Sequence, residues 1–190
     1  MEHGNGGGGE RLTEYERLLL SRARSLSPSR PPWPWEREWT VPASGVLACG
    51  WDAEEHLVLL SGSGYSITDV RTGERLHRDR NADEVYARLA QSMLRFTVPY
   101  HGQTIDIFGF EAGDGIHLTG DGWSLKTIYP WWPRASVVLE QVFAPGYRYL
   151  EQAAMIDPGR LDGDIRCGFS PSGRHFVILG SGGAVGYSRA

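Results

Sequence analysis

The chain has 190 residues and a formal net charge of −4, with Lys+Arg 19 against Asp+Glu 23. That balance excludes a generic grip on DNA or RNA phosphates, which needs a basic surface, and no apolar run approaches the ~18 residues of a membrane-spanning helix. Two cysteines are too few for a disulfide framework or a Cys-based zinc site, while a hydrophobic content of 41 % is enough for one packed domain.

Residues 1–12 are expected to form a disordered tail, because Gly4 and Gly6 to Gly9 bury no apolar surface. The stretch has no apolar h-region, so it is not expected to act as a secretory signal. Residues 13–45 read as a helix followed by a Pro/Trp-rich linker. Thr13 and Glu16 have the spacing of a capping box. Tyr15, Leu18, Leu19 and Leu26 then recur at helical spacing, which predicts a helix over about 13–25. Pro28 ends it by disfavouring helix in the residue before it. The following PSRPPWPW favours extended polyproline II backbone. Trp33 and Trp35 within it read either as a docking motif for an aromatic-lined groove or as packing against the same chain. Glu36 to Val41 reads as a short strand.

Residues 46–190 read as one β-repeat domain. Gly-aromatic pairs start at Gly50, Gly109 and Gly168, a spacing of 59 residues twice. An internal repeat of this kind is to be settled before anything else. Cys49-Gly50-Trp51-Asp52 followed by His56-Leu57-Val58-Leu59-Leu60 corresponds to Cys167-Gly168-Phe169-Ser170 followed by His175-Phe176-Val177-Ile178-Leu179, with one insertion in the turn. The middle unit, from Gly109-Phe110 through Ile116-His117-Leu118 to Trp123-Ser124-Leu125, matches the first at an offset of 58. Gly-rich hairpin turns separate the strands of each unit. Tyr129-Pro130-Trp131-Trp132-Pro133 is read as the turn before a strand over 135–143. Between the first two units, Val85, Leu89, Met93 and Phe96 form one stripe, which predicts a helix over about 82–96 capped by Asn81 or Asp83. Residues 145–163 read as a loop with a short helix or strand around 149–156.

Phe169-Ser170-Pro171-Ser172-Gly173-Arg174-His175-Phe176-Val177 resembles the strand-turn-strand of a WD-type β-propeller blade. Trp51-Asp52-Ala53-Glu54-Glu55-His56-Leu57-Val58, with the later Asp69-Val70-Arg71-Thr72-Gly73 turn, is similar to the same unit. The resemblance covers about 46–80, 104–143 and 164–188, and implies a mainly β fold of three four-stranded, propeller-like blades. It carries no catalytic residues to transfer. The sequence lacks the family's Trp-Asp at the end of the third strand and its Gly-His at blade starts. Propellers typically have four to eight blades. Three units therefore leave three arrangements open: an open array covered by the helices, a ring completed by further copies as a homo-oligomer, or a β-trefoil-like or other threefold barrel. In the open array, residues 36–41 would pair beside 183–188 and cover an edge.

Little in the chain points to chemistry. Gly180 to Gly186 lacks the helix and acidic residue of a dinucleotide loop. Asp157, Asp162 and Asp164 lack the alternating ligands and downstream Glu of a calcium loop. Asp114, Asp121 and His117 fall at separate points of their unit. The pairs Cys49/His56 and Cys167/His175 read as one structural slot occurring twice rather than as nucleophile and base. No cofactor, metal ligand or catalytic residue is expected. The aromatic load, 11 % of the chain, is the functional signal. Tyr129, Trp131 and Trp132 at a hairpin tip, with Trp33 and Trp35, are the candidate binding residues. The expectation is a cytoplasmic, bacterial, non-enzymatic module that binds a protein partner through these aromatics and the N-terminal helix. By analogy alone it would be an accessory or immunity-like partner. A carbohydrate-binding module and a small hydrolase are the alternatives.

Overall fold

A computed structural model describes residues 12–156, 161 and 163–190. The first helix, α1 (Glu14–Ser25), starts where the capping box places it. The Glu16 amide donates to Thr13 Oγ1 at 3.2 Å, and the Thr13 amide donates to the Glu16 carboxylate at 2.7 Å. Only its C-terminal half packs, through Ala23 and Leu26 against Val138 and Leu150. Tyr15 and Leu18, from the same apolar stripe, remain exposed.

The Pro-rich segment is part of the body rather than a spacer. Its first strand, β1 (Pro28–Ser29), pairs in parallel with β11 (Ala154–Ile156). The next, β2 (Arg37–Pro42), pairs antiparallel with β14 (Gly183–Ser188) along six positions. The expected pairing of residues 36–41 beside 183–188 is therefore present, displaced by one residue at its start. It covers an edge that the C-terminal strand would otherwise leave open.

Among the described residues the fold is mainly β, with three sheets. The first is the meander β3 (Val46–Trp51), β4 (Leu57–Ser61), β5 (Gly64–Asp69) and β6 (Glu74–Asp79). It is extended beyond β3 by β8 (Thr104–Gly109) and β7 (Arg95–Thr97). The second runs β12 (Arg166–Phe169), β13 (His175–Gly180), β14, β2. The third runs β9 (Trp123–Trp131), β10 (Arg134–Gln141), β11, β1. The second sheet lies between the other two. Phe176 and Ile178 of β13 face the β9–β10 sheet, and Val177 and Leu179 face the β3–β4 sheet. Burial on both faces explains why β13 reads as an unbroken apolar run. Outer faces are covered by helices: α1 lies on Val138, and α2 (Ala82–Arg88) places Val85 over Val58, Leu60 and Ile67. The sheets do not close on one another, so a trefoil-like or other threefold barrel is not formed. Among the described residues, no helix is long and apolar enough to cross a membrane.

Two expectations about local structure are corrected. The helix expected over 82–96 ends at Arg88. Leu89 is extended and Met93 is left-handed at φ 58°. Phe96 lies in β7, fully buried and opposite Ile105. The apolar stripe is real, but its last member is buried in the sheet rather than on a helix face.

The middle repeat also has a different register. Asp52, Thr119 and Ser170 each begin the same turn. Their amides donate to the carbonyls of His56, Trp123 and His175, and their own carbonyls accept from Glu55, Gly122 and Gly173. Their side-chain oxygens accept from the amides of His56, Trp123 and His175 at 2.9, 2.9 and 3.2 Å. Trp123 therefore corresponds to His56, so the true offset is 67 rather than 58. The matched Gly109 belongs to β8, which pairs with β3 instead of opening the second unit. Only isolated bridges at Ile116 and Leu118 remain of that unit's first strand.

Candidate binding surface

The β9–β10 hairpin carries the expected aromatics on a bulged tip. The pairing shifts between Ile128↔Ser136 and Trp131↔Arg134, so Tyr129 and Pro130 lie opposite Ala135 alone. Such a bulge re-aims the side chains beyond it. Trp131 turns toward α1, where the Arg24 guanidinium sits 4.5 Å from its ring centre. Arg24 Nε also donates to the Pro130 carbonyl at 3.0 Å, fixing the tip to the helix. Trp132 is 79 % exposed and pairs with Tyr129 at 5.4 Å between ring centres, tilted by 52°.

The two other candidates separate. Trp33 is 75 % exposed and makes no ring contact among the described residues. Trp35 is not a surface residue at all. It packs between Trp123, Phe169 and Phe176 at 5.1–5.9 Å between ring centres, with Arg189 over one face. Trp33 and Pro34 form a turn closed by the Trp35 amide donating to the Pro32 carbonyl at 3.0 Å, the rings serve opposite roles, and apolar burial claims the one that meets the inter-sheet core.

A second concavity, of about 890 Å³, opens between the first and second sheets. Its apolar wall includes Trp51, Ile107, Phe108 and Phe169, and its polar wall includes Asp52, Glu54, Glu55 and Arg174. The Asp52 turn forms one side. Glu55 occupies the left-handed position, φ 61°, that Gly122 and Gly173 hold in the other two turns. Its carboxylate crosses to the second sheet, accepts from the Ser172 amide at 3.0 Å and lies 3.8 Å from His175 Nε2. Beneath it, Trp39 Nε1 donates to Ser188 Oγ at 3.1 Å, and the Ser188 hydroxyl and His175 Nδ1 are 2.7 Å apart. An indole N–H can only donate, so Ser188 Oγ accepts from Trp39, and its own proton is free to go to Nδ1 of the tautomer that carries its proton on Nε2, facing Glu55. Burial holds the His175 pKa below its ordinary value, against the opposing pull of Glu55. Ser188 is buried, so this chain of contacts ties sheets together and does not present a nucleophile.

The same turn brings together groups that the sequence reading passed over. One ligand atom each from Asp52, Glu54 and His56 lies within 4.8 Å of the others. The alternation of two carboxylates and an imidazole at positions 52, 54 and 56 was the available signal.

The remaining candidates do not converge. His117 Nδ1 contacts the Leu125 carbonyl at 2.8 Å, while Asp121 is held by Arg189 and Thr119. Asp157 and Asp162 lie outside the described residues. Cys49 faces the second sheet and Cys167 faces the β9–β10 sheet. Burial pushes both thiols up, that of Cys167 to about 11. Neither contacts the histidine of its unit, which instead bonds Asp52 or Ser188.

Comparison with protein-family models, with curated proteins and with solved structures returns no match.

Proposed function

We propose that the protein is a non-enzymatic module that binds a protein partner through the aromatic tip of the β9–β10 hairpin, with α1 beside it. One observation carries the reading: Trp131 and Trp132, 57 % and 79 % exposed, sit on a tip that Arg24 holds in place. Large aromatics on a fixed scaffold give contact area at low ordering cost, which is why they dominate binding hot spots. Tyr15 and Leu18 extend the apolar surface along α1. The scaffold reads as three blade-like units in an open stack, each announced by the Asp52-type turn, with the third unit in the middle. An accessory or immunity-like role in a bacterial cytoplasm fits this reading by analogy only.

A carbohydrate site would use the same rings. The 52° tilt between Tyr129 and Trp132 makes a cup rather than a flat stacking platform, which favours a protein side chain. Affinity capture from an extract of the source organism should yield a partner retained by the wild type. Trp131→Ala/Trp132→Ala should lose it while keeping the thermal midpoint. A partner held equally by the double variant overturns the proposal, and glycan-array binding that depends on Trp132 replaces it with the carbohydrate reading.

A further inference from the structure

We propose that Asp52, Glu54 and His56 form a binding site for a divalent transition-metal ion of the zinc class, with His101 beside the Asp52 oxygen. The site lies on the wall of the cleft between the first and second sheets. It is separate from the aromatic tip and does not depend on the function proposed there.

The geometry comes from two elements. The turn after β3 supplies Asp52 Oδ2, Glu54 Oε2 and His56 Nδ1. His56 Nδ1 lies 3.0 Å from Asp52 Oδ2 and 3.6 Å from Glu54 Oε2. The loop before β8 supplies His101, whose Nε2 is 3.7 Å from the same Asp52 oxygen. The three turn atoms lie within 4.8 Å of one another, so small side-chain shifts bring them to the edges of a coordination polyhedron with metal bonds of ~2.1 Å, while His101 stays outside that group and approaches the Asp52 oxygen alone. The two elements are also fixed to each other, since Gln103 Oε1 accepts from the Ala53 amide at 3.2 Å.

Asp52 is prepared for this work. Its Oδ1 is occupied by the amides of Glu54 and His56, at 3.0 and 2.9 Å, which orients Oδ2 toward both imidazoles. The side chain is only 3 % exposed, so the oxygen is held where it is. Glu54 and His101 are 78 % and 29 % exposed, which leaves an entry path from solvent.

Comparison within the chain adds weight. The equivalent turns begin with Thr119 and Ser170, neutral side chains that do the same backbone work. An aspartate is not needed to make the turn. Only the first unit combines two further carboxylates with a flanking histidine, and it does so beside the cleft. An imidazole with two carboxylates selects zinc, or a similar first-row ion, over calcium or magnesium, which prefer all-oxygen shells.

The test is calorimetric titration of the full chain with zinc, manganese, calcium and magnesium chlorides. The comparison is Glu54→Ala/His101→Ala, whose side chains are exposed enough to leave the fold intact, checked by circular dichroism. One-to-one binding of zinc, preferred over calcium and magnesium and weakened at least tenfold in the double variant, is expected. Cobalt substitution should give visible absorption bands that the variant loses. Absence of saturable zinc binding, equal affinity in the variant, or preference for calcium or magnesium overturns the proposal.

Discussion

Glu55 shows how one residue can hold strain and structure at once. Its φ of 61° is the conformation that glycine takes in the two sister turns. An L-residue there costs ~1–2 kcal/mol. Its carboxylate offsets that by reaching Ser172 and facing His175. Glu55→Ala keeps the strain and loses the contact, so urea unfolding should show a loss of about 1–2 kcal/mol. Glu55→Gly loses the contact but relieves the strain, and should be more stable than the alanine variant by about 1 kcal/mol. Equal stability of the two variants would refute this account. His175 makes a second prediction. Its pKa is lowered by burial, with Arg71 and Arg174 reinforcing and Glu55 and Asp69 opposing. The unfolded chain therefore binds the proton more readily. The neutral imidazole's contribution is complete above the ordinary value of 6.5 and is lost as pH falls through the lowered folded value. His175→Gln should flatten that part of the stability–pH curve, measured by denaturant unfolding across the range. An unchanged slope counts against a buried neutral imidazole.

At the scale of elements, the pairing of β2 with β14 depends on a close approach. Gly186 lies opposite Trp39, and a Cβ at Gly186 would overlap the Trp39 ring. The ring cannot retreat easily, because its N–H is bonded to Ser188 and its edge meets Trp51 at 6.2 Å between centres. Gly186→Ala should therefore cost about 1–3 kcal/mol in thermal or urea unfolding. Gly62→Ala is the control: no atom lies within 4 Å of its Cβ position, so the change should stay within about 0.5 kcal/mol. The β9–β10 hairpin makes the opposite use of irregularity. Its bulge and the Arg24 contact direct large rings outward.

At the scale of the molecule, the three sheets form a stack whose middle layer is buried on both sides. Each outer layer has one face without a sheet partner, and a helix supplies the cover. This makes α1 part of the folding unit rather than an appendage. Ala23 is 7 % exposed, in contact with the cluster around Val138 and Leu150. Ala23→Asp would place an unpaired carboxylate there, at a cost of about 2 kcal/mol or more. The whole chain should then melt earlier in one transition by circular dichroism and by tryptophan fluorescence together. Separate transitions, or an unmoved main transition, would show α1 to be independent of the sheets.

The sequence by itself determined the local elements that short-range chemistry specifies. The Thr13/Glu16 box placed α1, the Gly-rich hairpins placed β3 to β5 and β13 to β14, and the match of Cys49–Leu60 to Cys167–Leu179 paired the first and third units correctly. The hairpin position of Tyr129, Trp131 and Trp132 was legible for the same reason, although β9 runs three residues into the predicted turn. Only tertiary structure decided which of several equally apolar segments met. It moved the middle unit's counterpart of Gly50 from Gly109 to His117, because β8 gained a partner in β3. It buried Trp35 while leaving Trp33 exposed, and brought His101 to Asp52 across 49 residues of chain. These outcomes depend on contacts between segments far apart in sequence, where hydrophobic burial rewards any apolar strand that fits and residue pattern alone does not name the partner.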